Sequence, residues 1–154
     1  MTTTIHPPTS RLPRWFLRSP EMLFRLRLSF LAPFWVMLVT RGRTSGRPRP
    51  VVLDVVRRVK GGLWVIAADG RQAHWVRNLE ADPRVSVHSR GRRTAGMAVI
   101  DESMDPGDFA VRIFHDRAIY VRLIYRLIGE RVRNEADVRR LAAGMLPIFI
   151  ATGR

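Results

Sequence analysis

The sequence predicts a mainly β, α+β domain built as a small, six-stranded antiparallel barrel with peripheral helices. Short runs rich in Val, Ile and aromatic residues recur between Gly-containing turns, and most connections are too short to hold a crossover helix. Helical spacing dominates only after Asp101. At 154 residues, 46% of them hydrophobic and with ten prolines dispersed along the chain, one domain with its own core is expected. Disordered and collagen-like compositions are excluded.

Residues 1–13 are polar and Pro-rich and are expected to form a flexible tail, leaving 14–154 as a single domain. Ser19-Pro20-Glu21 reads as a helix start, with an N-cap hydroxyl, Pro in the first turn and an acid where the dipole favours it. That amphipathic helix is expected over about 20–31, with Leu23, Leu26 and Phe30 on one face. Phe34 to Thr40 reads as the first strand and ends in the basic loop Arg41-Gly-Arg-Thr-Ser-Gly-Arg-Pro-Arg49. Strands over about 51–59 and 63–68 flank Lys60-Gly61-Gly62, whose paired glycines permit the positive φ of a tight hairpin. Residues 73–81 have helical spacing that gathers Trp75, Asn78 and Leu79, and Asp82-Pro83 closes the segment. Val85 and Val87 alternate with polar neighbours, and 94–100 follows Arg90-Gly91-Arg92 as a second hairpin. Asp105-Pro106 starts a helix, 117–128 carries Tyr120, Ile124 and Ile128 in i, i+4 register, and Asn134 with Asp137 resembles a capping box before a stop at Gly144. A closing strand is expected over 145–151.

Charge is the most unusual global property. Lys and Arg number 27 against 13 Asp and Glu, a net charge of +14, and Lys60 is the only lysine. Arginine forks onto phosphate and carboxylate, so an anionic ligand or surface is expected nearby. Zero cysteines exclude a disulfide framework, Cys-ligated metal and a thiolate nucleophile. The longest uncharged run, between Arg27 and Arg41, holds 13 residues and contains Pro33, short of the roughly 20 a bilayer requires. No signal-peptide pattern follows it. A cytoplasmic protein is expected, with peripheral contact at the inner face of the cell membrane through the basic amphipathic stretch 14–31.

The strongest local constellation is Gly42-Arg43-Thr44-Ser45-Gly46-Arg47-Pro48-Arg49. Two glycines let the backbone turn and expose amide donors, two hydroxyls add polar contacts, and three arginines can clasp phosphate oxygens. It lacks both the Walker ending and the dinucleotide fingerprint, and the same pattern also suits a solvated basic hairpin.

Together with Ile66-Ala-Ala-Asp-Gly70 and His74-Trp-Val-Arg-Asn-Leu-Glu-Ala-Asp-Pro-Arg-Val85, this loop resembles the deazaflavin-dependent nitroreductase family, split β-barrel oxidoreductases that use coenzyme F420. The resemblance covers about 39–100 and implies that Arg43, Thr44, Ser45 and Arg49 hold the coenzyme's phosphate and acidic tail. It further implies that Val51, Val52, Ala67 and Ala68 line the deazaflavin ring, with Trp75 and Asn78 closing the same site. Asp69 beside an anionic coenzyme would require a cationic partner, with Arg71 at hand.

Among the remaining candidates, His74 adjoins Trp75, whereas His6, His88 and His115 lack metal-type spacing. No metal site is expected. Tyr120 and Tyr125 are the candidate proton donors to a reduced acceptor. The leading expectation is hydride transfer from reduced F420 to a hydrophobic acceptor such as a quinone or nitroaromatic, with FMN or haem as lesser alternatives for the cofactor. The rival is a non-catalytic cofactor- or lipid-binding split barrel at the membrane surface. Nucleic-acid binding rests on charge alone without a recognisable module, and a homodimer is expected by analogy with other small barrels.

Overall fold

The computed structural model describes residues 34–127 and 129–153. Six strands carry the architecture: β1 (Trp35–Arg41), β2 (Pro48–Val59), β3 (Gly62–Ala67), β4 (Arg84–Ser89), β5 (Arg92–Ile100) and β6 (Leu146–Thr152). All pairings are antiparallel, and the order β1-β2-β3-β6-β5-β4 closes when β4 returns to β1, with Met37 opposite His88 and Val39 opposite Ser86. Among the described residues, closure leaves no free sheet edge. The helices are α1 (His74–Ala81), α2 (Pro106–Asp116), α3 (Ala118–Leu127) and α4 (Glu135–Ala142). The tail over 1–13 and the helix expected over 20–31 lie outside the described residues. Among the described residues, no helix is long and apolar enough to cross a membrane.

Period-two alternation fills the barrel. Val36 and Leu38 of β1, Val55 of β2, Leu63, Val65 and Ala67 of β3, Val85 and Val87 of β4, and Ile148 and Ile150 of β6 form one buried cluster, joined by Val76 and Leu79 of α1. Helix α1 is thereby fixed to the barrel through two residues three apart on one face. A second cluster, including Val111, Phe114, Val121, Val138 and Ala142, holds α2, α3 and α4 together.

The β2–β3 turn differs from expectation in one respect. Only Gly61 has positive φ, at +86°, while Gly62 is needed for close approach: a Cβ there would lie 2.3 Å from the Ile150 carbonyl oxygen. Asp105 caps α2 by accepting from the Gly107 N–H at 2.7 Å, with Pro106 in the first turn. Asn134 caps α4 by accepting from the Asp137 N–H at 3.0 Å, but the Asp137 carboxylate reaches the N–H of Arg133, one residue before the cap. The expected 117–128 helix begins at 118, because Arg117 leaves helical geometry (φ −147°) at the end of α2.

Candidate functional site

The basic loop joining β1 to β2 is held from three directions. Within it, the Gly42 N–H donates to the Arg47 carbonyl at 2.9 Å, the Gly46 N–H to the Gly42 carbonyl at 2.7 Å, and Ser45 Oγ accepts from the Arg47 N–H at 3.3 Å. At its base, Thr40 shares the inward parity of Val36 and Leu38, and its hydroxyl donates to the Arg49 carbonyl at 3.2 Å across the strand pair. From the barrel rim, α1 presents Asn78, whose Nδ2 donates to Thr40 Oγ1 at 3.1 Å. Asn78 Oδ1 receives both the Arg43 N–H at 3.2 Å and Arg43 Nη1 at 3.1 Å. Those two donors require an oxygen, which fixes the amide's orientation.

Thr40 is 1% exposed and Asn78 5%. Neither could stay buried unpaired without a penalty of about 1–3 kcal/mol per group, so the matched network bolts loop and helix into one unit. Arg43 also makes longer contacts to His74, with Nη1 at 3.4 Å from its carbonyl oxygen and Nη2 at 3.5 Å from Nδ1.

Between loop and helix lies a cleft of about 660 Å³. Of the residues singled out in the sequence, Arg43, Thr44, Ser45, Arg49, Val51, His74, Trp75 and Asn78 all line it. Trp75 and Val51 also pack on the barrel core, giving the cleft an apolar floor beside its cationic rim. Asp69 lines the same cleft, and Arg71 is engaged elsewhere, by Glu80 and Glu102. Among the described residues, no group of three His, Asp or Glu could hold a metal ion.

Five sequence candidates are not among the cleft's lining residues. Val52 alternates away from Val51 and pairs with Met37, and Ala67 belongs to the barrel core at 1% exposure. Tyr120 sits on α3, with its Oη 3.4 Å from Asp54 Oδ2, and Tyr125 packs in the helical cluster. Burial first, then Asp54, pushes the Tyr120 phenol up to about 12; burial and then Glu130 raise that of Tyr125. Ala68, just beyond β3, is not among the cleft's lining residues either. The reading of the sequence assigned Thr40 no role, although a hydroxyl in register with Val36 and Leu38 was a readable signal.

A family model of F420H2-dependent quinone reductases matches residues 21–116, more than half of the chain. The chain belongs to the F420H2-dependent quinone reductase family. No curated protein matches it. Among solved structures, an FMN-binding, pyridoxamine 5'-phosphate oxidase-related protein from Nostoc punctiforme PCC 73102 superposes with a TM-score of 0.55 at 14% identity, over 92% of this chain and 81% of that one. A domain-swapped dimer gives 0.52 at 19% identity, over 86% and 99%. Both show the fold. The F420H2-dependent reductase FDR-A is 23% identical over 78% of this chain and 94% of that one, with a TM-score of 0.48.

The coenzyme of this family is F420, and the cleft's residues fit it. Arg43 and Arg49 offer charge for a phosphate and a carboxylate-bearing tail, and Thr44 and Ser45 add hydroxyls. The loop is tight enough that a Cβ on Gly42 would lie 2.9 Å from Ser45 Oγ. Val51 and Trp75 supply the apolar surface that a flat heterocycle needs.

Proposed function

We propose that this protein is an F420H2-dependent oxidoreductase that reduces a hydrophobic acceptor, of quinone or nitroaromatic type, at the cleft between the 42–46 loop and α1. One observation carries the reading: a cationic rim and an apolar floor converge on one cleft, whose loop is tied to α1 by the hydrogen bonds of Thr40, Asn78 and Arg43. When bound, reduced F420 supplies a hydride, and a quinone that accepts it takes up one proton to become the quinol. Arg43 and Arg49 bind the anionic end of the coenzyme. Thr44 and Ser45 orient it through their hydroxyls, Trp75 and Val51 exclude water, and Asn78 fixes Arg43.

Val52, Ala67 and Ala68, which are not among the cleft's lining residues, have no ring contact in this reading. Among the described histidines, His74 is the one that lines the cleft. Tyr120 and Tyr125 would serve as proton donors only for an acceptor that reaches α3, so Tyr120→Phe and Tyr125→Phe test that role directly.

The deciding experiment is fluorescence titration of the protein with F420, followed by single-turnover reduction of a soluble quinone. Arg49→Ala should weaken coenzyme binding about tenfold to a hundredfold, as expected for loss of a charge-assisted contact. No fluorescence change at micromolar coenzyme would overturn the proposal, and tight binding without turnover would leave the non-catalytic cofactor module in its place. We further infer a homodimer, supported by the exposed Met97 and Val99 on the outer face of β5. Light scattering tests it, with a monomer mass at micromolar protein as the contrary result.

A further inference from the structure

We propose that α3 and the segment that follows it form a docking face for an anionic phospholipid surface. This inference does not depend on hydride transfer. Helix α3 turns Ile119, Arg122, Leu123 and Arg126 to within about 100° of one another around its axis, while Val121 and Tyr125 face the helical core. Ile119 is 85% exposed and Leu123 55%, so two large aliphatic side chains stand in water four residues apart, interleaved with two arginines.

The arginines belong to a built hollow. Arg122, Arg126, Arg131 and Arg133 surround a cavity of about 300 Å³ with one opposing carboxylate, Glu130. Buried Val132 anchors the segment between Arg131 and Arg133 in the helical cluster. Arg122 is held in place, with its guanidinium 5.4 Å from the Phe114 ring centroid and Nη2 3.5 Å from the Arg133 carbonyl oxygen.

Charge complementarity selects the occupant. Four guanidinium groups against one carboxylate attract phosphate, and the interleaved aliphatic pair matches the acyl boundary just below a headgroup layer. A nucleic-acid backbone would satisfy the arginines and leave Ile119 and Leu123 in water, which is why a lipid surface is favoured.

The test is co-sedimentation of the full chain with phosphatidylcholine vesicles, with and without phosphatidylglycerol. The expected result is salt-sensitive pelleting that requires phosphatidylglycerol. The pair Arg131→Gln, Arg133→Gln should weaken partition about thirtyfold, from the contribution of each basic residue at an anionic surface. The pair Ile119→Ser, Leu123→Ser should weaken it about tenfold. Both variants should keep the parent's melting temperature and its F420 titration, so that a folding defect or a failed coenzyme assignment is seen separately. Unchanged partition in both variants would overturn the proposal by placing membrane contact elsewhere on the chain. Equal binding to pure phosphatidylcholine, or complete displacement by millimolar inorganic phosphate, would overturn it in favour of a purely apolar contact or a small-anion site.

Discussion

Two polar clusters sit against β-strands of this barrel, and they solve the problem of burial in opposite ways. At the cleft, Thr40, Asn78 and Arg43 form a chain in which hydroxyl, amide and main-chain groups each meet a partner between 3.1 and 3.2 Å. Under α3, Asp54, Arg117 and Tyr120 form a charged cluster on the outer face of β2. There Asp54 Oδ1 and Arg117 Nη1 stand 3.6 Å apart, too far to hydrogen-bond, and both atoms are buried without a partner. Burial raises the Asp54 carboxyl above its ordinary range despite the nearby Arg117. A buried hydroxyl and amide whose partners are all matched can rigidify a site, whereas an ion pair taken out of water recovers little of its desolvation.

The largest effect is expected at the first cluster. Asn78→Leu would remove the acceptor of the Arg43 N–H and the donor that meets Thr40 Oγ1, while the Thr40 hydroxyl keeps its bond to the Arg49 carbonyl, and thermal or urea unfolding should show a loss of about 1–3 kcal/mol. F420 affinity should fall with it, because Arg43 loses the partner that aims it. At the second cluster, Arg117→Met alone should cost about 1–3 kcal/mol, while the double change Asp54→Leu, Arg117→Met should come within about 1 kcal/mol of the parent. A double-mutant cycle with a strongly favourable coupling would erase the contrast between the two clusters.

A smaller effect concerns pH. Asp54 is raised from 3.8, so the folded state binds its proton more tightly than the unfolded chain does. Its contribution to stability is therefore complete below 3.8 and is lost as pH rises through the raised value. The difference in melting temperature between parent and Asp54→Asn should drift across that window and flatten above it. The smallest effect is expected for Tyr120→Phe, which removes the 3.4 Å contact to Asp54 and the hydroxyl's interaction with Trp35. Stability should change by less than about 1 kcal/mol, and quinone reduction should fall far less than in Arg49→Ala.

The barrel was legible because its signals are local. Runs of apolar and β-branched residues marked β1 and β3, alternation of Val85 and Val87 marked β4, and the Gly61 and Gly91 turns marked two hairpins. The loop and the helix bearing Trp75 were readable as separate motifs, and a cleft uniting them was implied only by resemblance to a family. Strand parity was the point where reading fell short. Val51 and Val52, adjacent in sequence, necessarily face opposite sides, so both could not line one surface. Thr40 and Asp54 were each visible as a polar residue inside an apolar strand, yet what they meet comes from α1 and α3, 38 and 66 residues away. No spacing rule encodes such a meeting.

The amide of residue 78 grips the strand below it and the main chain of the loop beside it, which leaves those two parts no joint about which to swing apart. Widening the mouth from the helix side would drag α1 across the barrel rim and pull Val76 and Leu79 out of the packed interior, and widening it from the loop side would break both bonds of Arg43 to Asn78. On the proposed reading, guests meet an aperture framed by these contacts, and the chemical variety accepted depends on how far the arginine side chains reorient above that frame.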